Sequence, residues 1–456
     1  MTTTVSEGPR TLRRALSRLA AAHWAAEQSA LLKNSLALIS GTVFSQAILF
    51  LCSPLLSRIF SRTDFGHLAN YNAWVSILAL LSSLRYEHAV IVANGRQNTN
   101  RVVVLTGWLS LVGVFVYMVI SASVYFLYTG TGYLRYLREI VLFLPIGVLA
   151  VCLSSLLIQL NVKAGKFKRL AVVAAVQVVI TLAAQILLGL LRVPQALIIG
   201  TITGFVFSGA VFARWFFQRH SFKHLRREMT LRQLRLTATE HADFPRYTMA
   251  ADAIGVVVQQ FIPVFVTALF SPALAGVYAF ATRVVRVPLL VVASAISGAL
   301  RKEAVDHVRR GQSLPLLFSG LVKVLCLVGL APFVVLLLYG KQIFAVVFGA
   351  QWVDAGRVVQ ILSPGILFEF VAFPLSVLFL VTNSQRYTFR LQLFGFLFLV
   401  VALAAGKYFL NDFLATCFLV SGVMVIVNLA SIVLAGRVST RQSVVSPSRG
   451  PVTSSP

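Results

Sequence analysis

Acidic residues are scarce in this chain: 14 Asp and Glu stand among 456 residues, against 40 Lys and Arg. No Asp-x-Asp triplet that would hold a catalytic metal occurs, and no Gly-x-x-x-x-Gly-Lys-Ser/Thr loop occurs, which excludes a nucleotide-driven engine of that type within the chain. Cysteine is nearly missing too. Its four copies, Cys52, Cys152, Cys326 and Cys417, sit far apart inside apolar runs, so neither a disulfide framework nor a zinc centre is expected, and they read as small buried hydrophobes. The first 30 residues hold Arg10, Arg13, Arg14 and Arg18 but no continuous apolar stretch of signal-peptide length. A cleaved leader is therefore not expected there; an amphipathic helix on the cytoplasmic membrane surface is the reading that remains.

Apolar sequence is what the chain has in excess. Hydrophobic residues make up 58% and charged residues 12%, with mean hydropathy +0.85, and no soluble fold hides that much apolar surface. A spanning helix needs about 20 mostly apolar residues, and apolar runs bounded by charge, Pro and Gly mark twelve of them: 35–57, 68–93, 102–127, 140–160, 171–191, 194–217, 249–270, 273–299, 318–340, 357–382, 388–407 and 411–436. The expected fold is an all-α integral membrane protein of about 12 transmembrane helices.

The formal net charge of +26 would suggest nucleic acid in a soluble protein. Here the basic residues lie mostly at span ends and in alternate loops, with no aromatic-interleaved basic platform, so no nucleic-acid partner is expected. By the positive-inside rule their placement puts both termini in the cytoplasm. The longest inner loop, 218–248, separates two sets of six spans, and an internal repeat supports the division. Residues 60–69, FSRTDFGHLA, align without a gap to 270–279, FSPALAGVYA, matching at Phe60/Phe270, Ser61/Ser271, Gly66/Gly276 and Ala69/Ala279. The domain plan is a cytoplasmic segment 1–34, a six-helix bundle 35–217, a basic linker 218–248, a second bundle 249–436 and a disordered tail 437–456. Two such halves around a central cavity are the organisation of an alternating-access transporter.

The second span reads Leu84-Arg85-Tyr86-Glu87-His88-Ala89-Val90, which resembles the Leu-Arg-Tyr-Glu-x-Ala-Ile/Val signature of bacterial polysaccharide biosynthesis flippases. Asp243-Phe244-Pro245, Ala275-Gly276-x-Tyr278 with Arg283 and Pro288, and Phe348-Gly349, Trp352, Ala355-Gly356, Gln360-Ile361-Leu362, Pro364 and Pro374-Leu375-Ser376 agree in order. The resemblance covers about 35–430. It implies the multidrug/oligosaccharidyl-lipid/polysaccharide exporter superfamily, with two pseudo-symmetric six-helix bundles around a V-shaped cavity. It also implies a bacterial inner-membrane protein that flips an undecaprenyl-pyrophosphate-linked oligosaccharide to the periplasmic leaflet for O-antigen, capsule or exopolysaccharide assembly. Membrane lipids, and a polysaccharide polymerase with its chain-length regulator, are the partners this role would bring.

Charged residues inside spans cost at least ~2.5–3.5 kcal/mol on insertion scales, so each asks for a cavity, a partner or an interface. Arg85, nine residues before Asn94, falls about 14 Å from the inner end of an uninterrupted helix. A local Arg85–Glu87 packing pair competes with a role in the cargo or ion path. Arg283 and Arg286 share one face of the eighth span; their planar donor forks suit a pyrophosphate, with Arg85 across the cavity, while pairing with Glu369 is the competing reading. Glu87, His88, Asp252 and Glu369 are the candidates for coupling to a H+ or Na+ gradient, Asp252 also reading as a residue at the inner interface. Gln46, Gln259 and Gln260 suit sugar hydroxyls or interhelical hydrogen bonds. The linker residues Lys223, Arg226, Arg227, Arg232 and Arg235 suit anionic lipid head groups or serve topology alone. No cofactor is expected. A glycosyltransferase or polymerase is disfavoured because the longest outer loops, about 128–139 and 341–356, carry Glu139 and Asp354 as their only acids. A drug/cation antiporter is disfavoured by the cationic excess in the spans, and a peptidoglycan-precursor flippase is the nearest alternative in chemistry.

Overall fold

The computed structural model describes residues 41, 43–127, 133–219, 230–309, 314–382 and 384–445. The first 40 residues, with the amphipathic reading and the start of span 35–57, lie outside them, as do Lys223, Arg226 and Arg227. Among the described residues nine helices are long and apolar enough to cross a membrane, and up to eleven spans result if each of two bent helix pairs counts as one. A shorter apolar helix, α1 (Val43–Ile59), stands where the described part of the first expected span lies. Side chains such as Phe409, Leu127 and Val346 are almost fully exposed on helix flanks. In water that surface would aggregate; in a bilayer it faces acyl chains.

The N-terminal half holds α1, α2 (Arg62–Ser83), α3 (Tyr86–Val92), α4 (Gly95–Leu127), α5 (Tyr133–Val141), α6 (Leu144–Lys163), α7 (Phe167–Leu190) and α8 (Ala196–Arg219). The linker carries α9 (Leu231–Glu240). The C-terminal half follows with α10 (Met249–Gln260), α11 (Ile262–Leu269), α12 (Pro272–Arg309), α13 (Leu314–Phe348), α14 (Val353–Val381), α15 (Gln385–Ala405) and α16 (Phe413–Val445). The sequence reading needs four adjustments. The linker is partly helical, with Leu234 of α9 buried against Tyr86, Val104 and Leu105. The last helix runs on to Val445, past 436. The fourth span is preceded by the separate short helix α5. Cys326 is exposed on the flank of α13, whereas Cys152 and Cys417 are buried.

The internal repeat is the place where the halves meet. Ser61 caps α2 in a reciprocal capping box with Asp64, and the Ser271 hydroxyl accepts from the Leu274 N–H at 3.3 Å at the start of α12. One turn further on, Gly66 and Gly276 lie against each other. A Cβ on Gly66 would sit 2.1 Å from the Pro272 carbonyl oxygen, and one on Gly276 would sit 1.7 Å from that of Arg62. The contact is reciprocal, as a pseudo-twofold axis between α2 and α12 requires. Small residues let the two backbones touch where lipid provides no hydrophobic drive for helix association.

Further contacts close this end of the interface. Trp352 is fully buried between Phe65 and Phe280 and donates its indole N–H to the Ser57 carbonyl at 2.9 Å. Arg62 pairs with Asp354 at 2.8 Å, and Asn70 donates to the Thr267 hydroxyl at 2.7 Å. The opposite end is the one that bears the linker.

Two spans are broken. Between α2 and α3 both Leu84 and Arg85 adopt left-handed φ, 49° and 62°, and the axis turns by 57°. Between α10 and α11 the chain turns by 52° at Phe261, where Pro263 lies in the first turn of α11 and has no N–H for a continuous helix.

Candidate functional site

Below the glycine contact, towards the linker end, α2, α10, α11 and α12 line a cavity of about 220 Å³. Its polar wall comprises Asn72 from α2, Gln259 and Gln260 at the end of α10, and Tyr278, Thr282, Arg283 and Arg286 along α12. Broken helices place this wall. The bend after Gln260 leaves both glutamine side chains exposed into the space, and the i, i+4, i+8 spacing of Tyr278, Thr282 and Arg286 holds one face of α12 towards it.

The two arginines have different surroundings. Arg286 forms an ion pair with Glu369 of α14 at 2.9 Å, as the competing reading had it, and its Nε is buried without a hydrogen-bond partner. Arg283 has no hydrogen-bond or ion-pair partner among the described residues. The Tyr278 hydroxyl beside them is also buried and unpartnered. A cation, a guanidinium edge and a phenol therefore converge with hydrogen-bonding capacity unspent, which suits a polyanionic ligand.

A second cavity, of about 360 Å³, lies inside the C-terminal half and shares Gln259, Ile262 and Arg286 with the first. Glu369, Thr388, Gln392 and Asn428 line it. Gln259, Ile262 and Arg286 are thus the wall common to the two spaces, with Glu369 on the side of the second.

Arg85 lines neither cavity. The helix break places it between two carboxylates, Glu87 at 3.2 Å and Asp252 of α10 at 2.8 Å. Asp252 therefore meets the other half of the molecule at the linker end instead of simply facing the interface. Glu87 is buried, at 3% side-chain exposure, against 24% for Arg85. His88 points elsewhere, its Nδ1 lying 3.3 Å from the Gln159 side-chain nitrogen. Gln46 is half-buried on α1 and lines neither cavity. Of the expected set, the structure brings together Arg283, Arg286, Gln259 and Glu369, and separately Arg85, Glu87 and Asp252.

Sequence reading left Asn72, Tyr278 and Thr282 without a site role. Tyr278 and Thr282 were within reach of it, because they precede Arg286 at helical spacing. A buried polar group in the N-terminal half was missed altogether: His67 contacts Gln195 through Nδ1 at 2.9 Å and Glu139 through Nε2 at 3.4 Å.

The comparisons with known proteins agree with this architecture. The sequence model of the family described as "Polysaccharide biosynthesis protein" matches residues 55–357, more than half of the chain. No curated protein sequence matches significantly. The chain is similar in fold to an inward-facing multidrug resistance MATE family transporter of the MOP superfamily, at 14% identity and TM-score 0.63, covering 91% of this chain and 96% of that one. It is similar to the lipid II flippase MurJ in an inward closed conformation, at 11% identity and TM-score 0.62, covering 91% and 89%. To an outward-facing MATE family transporter the TM-score is 0.56, at 16% identity and coverage of 91% and 96%. With two helical halves packed across a glycine contact and a family match over residues 55–357, the chain belongs to the polysaccharide biosynthesis protein family and has the fold of the MOP superfamily.

Proposed function

We propose that this protein carries a lipid-linked oligosaccharide with a diphosphate head across the bacterial inner membrane by alternating access. The observation that carries the reading is Arg283: a guanidinium in a membrane-embedded cavity, without a carboxylate partner among the described residues, beside a second arginine that has one. An arginine at such a depth needs compensation, and an anionic cargo supplies it during transport. Arg286 reaches the same cavity, so a phosphate oxygen can take its unsatisfied Nε while Glu369 keeps Nη2, or can displace Glu369. Asn72, Gln259, Gln260 and Thr282 offer donors and acceptors to sugar hydroxyls. Arg85 acts instead between the halves, where its pair with Asp252 closes the linker end.

With the linker in the cytoplasm, as the Lys and Arg bias favours, the glycine and Trp352 contacts close the periplasmic side, and the Arg85–Asp252 pair is the bridge on the cytoplasmic side. The higher similarity to the inward-facing than to the outward-facing transporter supports this reading. An ion gradient acting on Glu87, Asp252 or Glu369 is the drive we favour.

The test uses purified protein in liposomes with a fluorescent undecaprenyl-diphosphate sugar and a membrane-impermeant quencher. The intact protein is expected to move the probe between leaflets, and Arg283→Lys to slow it at least tenfold, since a compact ammonium replaces the planar fork. Equal flipping by Arg283→Ala, with normal folding and abundance, would refute the assignment.

A further inference from the structure

A second basic site lies outside the halves' interface, at the linker-side ends of α7 and α8. Lys166, which precedes α7, and Lys168 and Arg169 in its first turn line one cavity of about 420 Å³ that Trp215 of α8 also lines. The Arg169 guanidinium lies 3.3 Å from the centre of the Trp215 ring, a stacking that fixes its plane. Lys166 and Lys168 are exposed, and among the described residues no carboxylate is within ion-pair distance of either. Lys163, by contrast, is turned away, donating to the Ala93 carbonyl and the Thr99 hydroxyl.

The helix flank below the cluster is apolar and uncovered. Val172 also lines the cavity, and Val172, Val176 and Val179, spaced by four and three residues along α7, are 55%, 39% and 47% exposed. A basic rim with an indole at the end of a helix, continuous with an exposed valine stripe running into the membrane, has the two-part chemistry of one ligand: an anionic head and an acyl chain.

We propose that this cavity is a specific site for an anionic membrane phospholipid. Its phosphate sits between Lys166, Lys168 and Arg169, Trp215 lies at the head-group level where amphipathic rings settle, and one acyl chain follows Val172, Val176 and Val179. Basic pockets between helices hold such head groups on the positively charged side of membrane proteins. The site is independent of the cargo cavity and stands whether or not the cargo is a diphosphate lipid.

Native mass spectrometry of the purified full chain tests it, with phosphatidylglycerol, phosphatidylcholine or inorganic phosphate added. The double variant Lys166→Gln/Lys168→Gln is expected to bind phosphatidylglycerol about 30-fold more weakly, the combined effect of two lysines beside an anionic surface. The control Arg386→Gln/Arg390→Gln, on exposed residues near the start of α15, should bind as the parent does. Equal loss in both double variants, or no loss in the first, would overturn the site. Equal retention of phosphatidylcholine would show an apolar groove without head-group recognition, and displacement of the lipid by inorganic phosphate alone would show a free-phosphate site; either overturns the proposal. Trp215→Leu, which keeps all the charge, should still weaken binding severalfold.

Discussion

Replacing Arg85 by Gln isolates the largest electrostatic liability at the helix break. Glu87 has 3% of its side chain exposed and takes its counter-charge from Arg85 at 3.2 Å. Losing one partner of a buried pair costs about 3–5 kcal/mol, because the other charge stays buried without compensation. Asp252, with 40% of its side chain exposed, can turn to water, so Asp252→Asn should cost only about 0–1 kcal/mol. The cycle closes with Arg85→Gln/Glu87→Gln, which removes both charges and keeps hydrogen-bonding groups of similar shape. It should recover about half of the single variant's loss, since what remains is the ordinary cost of about 1–3 kcal/mol for altered buried hydrogen bonds. Equilibrium unfolding in mixed micelles with increasing dodecyl sulfate reads these differences. A double variant no more stable than Arg85→Gln would refute the argument that the buried carboxylate sets the cost.

Three further outcomes are expected. Gly276→Ala places a Cβ 1.7 Å from the Arg62 carbonyl oxygen; backbone cannot yield there, so the α2–α12 contact should open at about 1–3 kcal/mol, seen as new labelling of a cysteine introduced at the buried Ser57. Trp352→Ala should cost about 3–5 kcal/mol, and Trp352→Phe about 0.5–1.5 kcal/mol for the lost bond to Ser57, both read by the same unfolding assay. Glu369→Gln frees Arg286, so binding of a labelled lipid diphosphate should tighten while flipping slows; weaker binding would refute the exchange between carboxylate and phosphate.

How much of this was legible in the sequence depended on the range of the interaction. Hydropathy runs located the spans because the bilayer reads composition over about 20 residues. The repeat was legible for a sharper reason: Ser61/Ser271 and Gly66/Gly276 are identical pairs at equivalent places, and the structure gives each pair one job, a helix cap and a backbone contact. The break at Phe261 had a signal in Pro263. The break at Leu84–Arg85 had none, since neither residue is Gly or Pro; the tertiary contacts of Arg85 with Asp252 and of Tyr86 with the linker hold a conformation that local propensity disfavours. That is why Arg85 looked like a mid-span residue facing Arg283 and is instead the hub of an interhalf ion pair. Long-range pairs such as Arg62–Asp354 and His67–Glu139 are invisible to periodicity altogether.

The two ends of the interface are built from different materials, and the difference bears on how transport proceeds. The end away from the linker is closed mainly by close-packed glycines, a buried indole and neutral hydrogen bonds, contacts that gain from tight fit, with the Arg62–Asp354 ion pair beside them. The linker end is joined by Arg85 and Asp252, and a polyanion entering from that side competes for the arginine. In the proposed cycle, cargo arrival would loosen the linker-side pair and supply an anion to Arg283, which has no ion-pair partner among the described residues. In that cycle the far side would reopen through α12, which carries Gly276, Tyr278, Arg283 and Arg286 on one helix. Because the MOP fold also serves multidrug transporters, the fold does not choose the cargo; the Arg283 guanidinium on α12, without an ion-pair partner among the described residues, is what argues for the proposed diphosphate, and the same helix would link its capture to the glycine contact.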